Sequence, residues 1–443
     1  MVLSGSGRAN PSRYGEAVLR RLDLRGPLGD LRTRLPRPSS GGEAPIEAVK
    51  AILADVRARG DDAVRDATER FDGVRLDDPR VPTERLAAAL DAIPAALRAA
   101  LEVAHDNIRA YNEATQPVEM HHERDGIVVR DLLRPVDRAG LYVPGGRATY
   151  PSTVLMTAVP ARVAGVPEVV LCVPPGRDGE VPVEVLAAAA IAGVDEVWRI
   201  GGAQAVGAMA YGTATLRPVD VIVGPGNVYV AVAKREVAGV VGVPSAFAGP
   251  SEVVVVADGS APADWAAVDV VVQAEHGPDG LAWLVTWDEA VADAVTAAVT
   301  RIVAESPRRA DIEATLGEGG YAVLVDGPAE AIAVANAIAP EHLELIVEDA
   351  ESLLPLVRHA GAVFTGPYAP ASVGDYLAGP SHVLPTFGSA RFAGALRVED
   401  FLKHVHVVTL DGPALAKVAP HVATLAETEG LPAHALSVRL REG

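Results

Sequence analysis

The feature that most constrains this chain is an alternation. Short apolar runs rich in Val, Ile and Ala recur, separated by stretches with helical spacing. A helical pattern over 152–163 leads to the run 169–173, one over 183–191 leads to 197–200, and a short one after Gly202 leads to 219–223. The alternation restarts at 252–257. Runs at 282–286, 321–325, 343–347 and 362–364 follow, with helical patterns over 262–275, 290–304, 329–337 and 353–359 between them. Strands that are apolar along their whole length are buried on both faces, and helices of about ten residues between them are the crossovers of parallel sheets. The reading is α/β, with two parallel-sheet units of similar plan.

The flanks read differently. Residues 1–40 are rich in Arg, Pro and Gly and read as an arm. Ile46, Val49, Leu53 and Val56 fall at helical spacing before Gly60, and a long helix is expected from Pro94 toward Asn112. Residues 366–395 are rich in Gly, Pro and Ser without a clear period, the mark of a functional or a disordered loop. From about 398 the chain reads as a small mixed unit ending in a helix and the apolar stretch 436–440. The expected division is an N-terminal arm (1–40), a first α/β domain (41–134 with 252–395), a second α/β domain (135–251) and a small C-terminal domain (396–443).

Charge and cysteine usage narrow the function. The chain carries 58 acidic against 39 basic residues, a formal charge of -19, so it lacks the basic footprint of a nucleic-acid-binding protein. Cys172 is the single cysteine, which excludes an internal disulfide and a thiolate metal cluster. The first residues contain no apolar signal core, and weakly charged stretches such as 237–251 are broken by Gly and Pro. A cytoplasmic protein with no membrane and no nucleic-acid partner is expected.

Four places could carry chemistry. Gln273-Ala274-Glu275-His276 ends a helical pattern, and positions three apart share a helix face. Gln273 and His276 could hold a zinc-like ion, or His276 could simply face the helix dipole. Glu341-His342, between a helix and a strand, could supply an acid/base pair or be a solvated turn. Asp375 and His382 lie in the long loop, where Asp375 could equally make a turn. Glu429 and His434 lie near the end, where disorder is the plain alternative. Together these places offer oxygen and nitrogen ligands without sulfur.

The chain contains neither the Gly-x-Gly-x-x-Gly dinucleotide fingerprint after a strand nor a P-loop. Strand ends do open into glycine turns at 143–146, 201–205 and 224–227. Amides there could hold a phosphate, or the turns could be plain connections.

Several long blocks, in order, resemble the histidinol dehydrogenase family. They are Arg138-Ala-Gly-Leu-Tyr-Val-Pro-Gly-Gly146 with Tyr150-Pro-Ser-Thr-Val-Leu-Met156, the turns at 201–205 and 224–227, and Ala248-Gly-Pro-Ser-Glu-Val253. Further blocks are Gln273-Ala-Glu-His-Gly-Pro-Asp279, Pro340-Glu-His-Leu343, Gly374-Asp-Tyr376 and Ser381-His-Val-Leu-Pro-Thr386. The resemblance runs from about residue 40 to 440.

The resemblance implies a fold of two incomplete Rossmann-like domains with small N- and C-terminal extensions. It implies a homodimer with one zinc ion per subunit that oxidises L-histidinol through L-histidinal to L-histidine, using two NAD per turnover, the last steps of histidine biosynthesis. By resemblance Gln273, His276 and Asp375 are zinc ligands from one subunit, and His434 reaches over from the other. Glu341 and His342 are the catalytic acid/base pair. Tyr142, Gln204 and Asn227 match NAD-contacting positions, placing the cofactor in domain 135–251. Ser251, His382 and Glu429 match substrate-contacting positions, joined at the substrate by Gln273, His276, Glu341, His342, Asp375 and His434; Glu429 also comes from the partner. The alternatives are a zinc- and NAD-dependent paralogue oxidising another small alcohol, and a non-catalytic metal- or nucleotide-binding protein.

Overall fold

The computed structural model describes residues 18–36, 45–145, 149–245, 249, 251–276 and 280–442, with the side chain of His276 outside that set. The strands among these residues are β1 (Arg20–Asp23), β2 (Met120–Arg124), β3 (Ile127–Pro135), β4 (Arg138–Tyr142), β5 (Glu168–Val173), β6 (Glu196–Arg199) and β7 (Val221–Val223). They continue as β8 (Glu252–Ala257), β9 (Leu281–Thr286), β10 (Gly320–Leu324), β11 (His342–Ile346), β12 (Ala362–Thr365) and β13 (Leu402–Leu410).

Two sheets are parallel, as the alternation requires. One has four strands in the order β6-β5-β4-β7; the other has six in the order β1-β10-β9-β8-β11-β12. Strands β4, β8, β9, β10 and β11 are buried at every position. Successive side chains of a strand point to opposite faces. Accordingly Val253, Val255 and Ala257 of β8 join one apolar core of the large sheet, while Val254 and Val256 join the core on its other face.

Some elements depart from the sequence reading. Residues 20–23 of the arm form an edge strand, pairing in parallel with β10. A third sheet is antiparallel, in the order β13-β3-β2, and joins the chain ahead of β4 to the C-terminal segment. The stretch 353–359 is not an α-helix; a 3-10 turn, Glu351–Leu356, contains Pro355 and ends there, since a proline inside a helix removes a backbone donor. The apolar stretch 436–440 continues the helix Pro432–Arg439. Within the long loop, Ala371–Tyr376 is a short helix and Ser389–Arg391 a 3-10 turn. Among the described residues, no helix is long and apolar enough to cross a membrane.

Candidate active site

The acid/base candidates sit at the amino edge of the large sheet. Helix Pro328–Ile338 ends at Ala339, whose backbone is left-handed (φ 56°, ψ 61°). That conformation is costly for a residue with a Cβ; it turns the chain into Pro340-Glu341 and then into β11, whose first residue is His342. Glu341 and His342 are both buried. The Glu252 amide donates to Glu341 Oε2 at 3.2 Å, tying the carboxylate to the start of β8 beside Ser251. His342 Nε2 lies 3.3 Å from Asp375 Oδ1, and Nδ1 lies 3.9 Å from Glu341 Oε2. Burial lifts the Glu341 carboxyl to about 7; Asp375 adds to this, and the His342 charge and the Glu252 amide oppose it. Burial alone would lower His342, but the Asp375 hydrogen bond and the charges of Glu341 and Asp375 outweigh it and hold the imidazole above its usual value.

Asp375 reaches this pair because its helix packs very closely. A Cβ on Gly374 would lie 2.5 Å from ring carbons of Phe364 on β12, and that ring stacks on His342 with centroids 6.0 Å apart. The start of the same helix is held from below. The Ala371 amide donates to Glu344 Oε1 at 3.3 Å. Glu344 follows His342 by two positions on β11, and its carboxyl lies against that of Asp269, one helical turn before Gln273. Two buried carboxyls in contact cannot both ionise. Burial first, and then Asp269, raise Glu344 far above the ordinary carboxylate range, so the pair holds a proton between its members.

Gln273 opens a 3-10 turn, Gln273–His276, directly after helix Ala263–Val272. Its side chain is buried, and Nε2 has no hydrogen-bond partner among the described residues. His276 ends that turn; its side chain lies outside the described residues. Tyr376 follows Asp375 and, though partly exposed, lies within electrostatic range of Glu275 in this turn. Burial, then the neighbouring Asp375, Glu275 and Tyr150, raise its phenol above the usual range. No group of three or more His, Cys, Asp or Glu side chains able to hold a metal converges among the described residues.

His382 bridges the two parallel-sheet regions. Its Nδ1 donates to the Asp375 carbonyl at 2.8 Å, and its Nε2 lies 3.1 Å from Thr153 Oγ1 on helix Pro151–Val163. The carbonyl can only accept, so Nδ1 carries a proton, while Nε2 and the Thr153 hydroxyl share the second hydrogen bond. Ser381 Oγ donates to the Met156 carbonyl at 3.1 Å. Glu429 and His434 are not part of this cluster. They lie exposed at the end of helix Gly412–Thr428 and on helix Pro432–Arg439.

The second region of interest lies at the carboxyl edge of the small sheet. A cleft of about 880 Å³ is lined by Tyr142, Gln204 and Asn227, and by Tyr150 toward the Tyr376 side. Tyr142 is buried at the end of β4; its hydroxyl accepts from the Gly202 amide at 3.0 Å, and burial pushes it up to about 12. Gly224, in the turn before Asn227, has φ 106°, and a Cβ there would meet the Tyr142 carbonyl at 2.0 Å, so only glycine fits. Asn227 Oδ1 caps the next helix, accepting from the amides of Tyr229 and Val230 at 3.0 and 3.2 Å. These turn amides are therefore engaged by the protein itself. Gln204 is different. It is buried, and both atoms of its amide lack partners among the described residues, which marks a group awaiting a ligand.

The family described as histidinol dehydrogenase matches residues 35–442. A histidinol dehydrogenase of Parasynechococcus marenigrum is 51% identical over 394 residues, 89% of this chain and 90% of that protein. The crystal structure of histidinol dehydrogenase from Elizabethkingia anophelis matches with a TM-score of 0.92 at 32% identity, over 96% of this chain and 98% of the other.

The chain belongs to the histidinol dehydrogenase family.

A histidinol dehydrogenase of Pseudomonas aeruginosa is likewise 50% identical over 399 residues, 89% of this chain and 90% of that protein. Family membership makes the chain an oxidoreductase of histidine biosynthesis and implies an NAD-dependent oxidation. Sequence reasoning missed Glu344, Asp269, Thr153 and Asp72, all at or beside the two sites. Glu344 and Asp269 left a signal, each as an acidic residue inside an otherwise apolar stretch.

Proposed function

We propose that this chain oxidises L-histidinol through L-histidinal to L-histidine, in two NAD-dependent steps, as a zinc-containing cytoplasmic homodimer. One observation carries the reading: a buried Glu341, lifted to about 7, lies beside His342 and Asp375, where His382 and Thr153 join this cluster to the helix that leaves the cofactor cleft. Both proton transfers of the reaction need a group that changes charge near neutrality.

His342 takes the hydroxyl proton in the first step. In the second, Glu341 takes a proton from the water that adds to the aldehyde. The burial of both groups keeps bulk water from the reactive aldehyde. Ser251, next to the Glu341 anchor, and His382, its ring fixed by Thr153 and the Asp375 carbonyl, position the substrate together with Glu429 of the partner subunit. Tyr142, Gln204 and Asn227 hold the dinucleotide, with the unpartnered Gln204 amide as the hydrogen-bonding contact. When bound, NAD supplies the hydride acceptor.

The zinc reading fits the donor chemistry. Amide oxygen and nitrogen exchange places by a flip of the side chain, so the unpartnered Gln273 position is open to an oxygen ligand. Asp375 supplies a carboxylate, and oxygen and nitrogen donors suit zinc. Gln273, His276, Asp375 and His434 of the partner subunit would hold the ion, and it would supply a Lewis acid that orients the substrate's amine and imidazole.

The test is NADH formation from L-histidinol before and after chelation and zinc add-back. About two NADH per histidinol, lost on chelation and restored by zinc, is the expected result, because oxidation to the acid removes four electrons and NAD carries two. No turnover with histidinol by the zinc-loaded dimer, but turnover with another small alcohol, would favour the paralogue.

A further inference from the structure

The cofactor cleft has a wall that belongs to neither the small sheet nor its crossover helices. Helix Asp61–Asp72, from the segment ahead of the sheet, runs antiparallel to helix Gly202–Tyr211: Thr215 Oγ1 donates to Asp61 at one end at 2.8 Å, and Asp72 shares the cleft lining with Gly202 at the other. Asp72 is the last residue of that helix, and Gly73 reverses the chain in a left-handed conformation (φ 77°, ψ 13°). Asp72 Oδ2 is buried and has no hydrogen-bond partner among the described residues. Burial lifts its carboxyl to about 6, which still leaves it mostly ionised at neutral pH. A buried carboxylate oxygen left unpaired costs free energy unless a donor arrives.

The ligand proposed for the cleft narrows what that donor is. A dinucleotide's phosphates are repelled by a carboxylate, and its ribose hydroxyls are neutral donors that suit one. In dinucleotide-binding α/β folds an acidic residue at the end of the second strand commonly accepts from the ribose 2′-hydroxyl. Here the strand after the first crossover, β5, ends at Val173 and runs into Pro174-Pro175-Gly176, with no acid at that place. These residues line the same cleft as Asp72.

We infer that Asp72 accepts a hydrogen bond from a ribose hydroxyl of the bound dinucleotide and sets the preference for NAD over its 2′-phosphorylated form. The inference rests on the NAD reading of the cleft and adds a residue and a selectivity to it. A phosphate in place of the hydroxyl would remove the donor and set like charges together. Exposed Arg177, also on the cleft lining, is the cation that a 2′-phosphate would find once Asp72 is gone.

The test is equilibrium binding of NAD and NADP to the full-length protein without histidinol, read by intrinsic fluorescence or calorimetry, for wild type, Asp72→Asn and Asp72→Ala. A lost charge-assisted hydrogen bond corresponds to about a tenfold weaker Kd for NAD in Asp72→Ala. The NAD-to-NADP preference should narrow in both variants, by more than about tenfold in Asp72→Ala, with NADP binding improved rather than weakened. A general loosening of the fold would weaken both cofactors alike, and that result overturns the inference. Wild type binding NAD while Asp72→Ala binds it equally well also overturns it and leaves the cofactor reading standing. A wild-type protein that binds neither dinucleotide overturns both.

Discussion

Glu341 offers the sharpest test of the proposed chemistry, because its ionisation should set the pace of the second oxidation. Its ordinary value is 4.5, and in the fold it stands at about 7. A carboxyl at 7 is about one-tenth ionised at pH 6 and about nine-tenths at pH 8, so oxidation of L-histidinal should rise about tenfold across that window. A carboxyl at 4.5 would be ionised throughout and give a flat profile. The assay is NADH formation from L-histidinal with saturating NAD and zinc. Glu341→Gln should lose the rise and about a thousandfold of this step, while conversion of L-histidinol to L-histidinal continues. The same lift has a stability consequence in the metal-free protein. The folded value lies above the unfolded one, so the contribution to stability is fully present below about pH 4.5 and is lost as pH rises through 7. The loss amounts to about 3 kcal/mol at pH 8. Glu341→Gln should therefore gain on wild type in chelated urea titrations at pH 8. A flat histidinal profile between pH 6 and 8, or full second-step activity in the Gln variant, would refute the assignment.

The proton shared by Asp269 and Glu344 makes a second prediction. Glu344→Gln keeps a donor toward Asp269 and an acceptor for the Ala371 amide, so its urea midpoint should move by less than about 1 kcal/mol. Glu344→Leu strands both partners in the core and should cost about 3 kcal/mol; equal damage from the two variants would show that no proton is shared. Ligand exchange across the dimer makes a third. Inactive His276→Ala and inactive His434→Ala subunits, unfolded and refolded together, should recover about a quarter of wild-type activity. Half of the random dimers are mixed, and each mixed dimer has one complete site; no recovery would count against ligand sharing.

How much of this was legible in the sequence depended on burial. The parallel strands announced themselves because both faces of strands such as β8 and β11 are buried, leaving runs of Val, Leu and Ile. The antiparallel sheet did not. All five positions of β2 are exposed, and β13 is exposed at most of its positions, so neither carries the alternation that marks a half-buried strand. The site motifs were legible one at a time, each with a plain alternative, but their meeting was not. His342 and Asp375 are brought together by sheet order and by the absence of a Cβ at Gly374. Asp72 carries no signal of its own in the sequence, and it becomes a cleft residue only because its helix lies antiparallel to Gly202–Tyr211.

The placement of the two sites also bears on how hydride transfer is organised. Ligands of open α/β sheets usually gather beyond the carboxyl ends of the strands, and the cofactor cleft obeys this, at the ends of β4 and β5 and in the turns after β6 and β7. Glu341, His342 and Ser251 lie instead at the amino edge of the large sheet, ahead of β8 and at the start of β11. In the proposed reaction, hydride therefore passes between groups anchored to different sheets. Transfer rates are sensitive to misplacement on the scale of one ångström, so the contacts that fix one sheet against the other carry a catalytic burden without touching a reacting atom. Thr153 on His382 and Ser381 on the Met156 carbonyl are such contacts, and both lie on helix Pro151–Val163, which leaves the cofactor cleft. Histidine at position 382 then serves two ends at once. It faces the substrate as proposed, and through Thr153 and the Asp375 carbonyl it ties the acid/base cluster to helix Pro151–Val163, fixing one proposed site against the other.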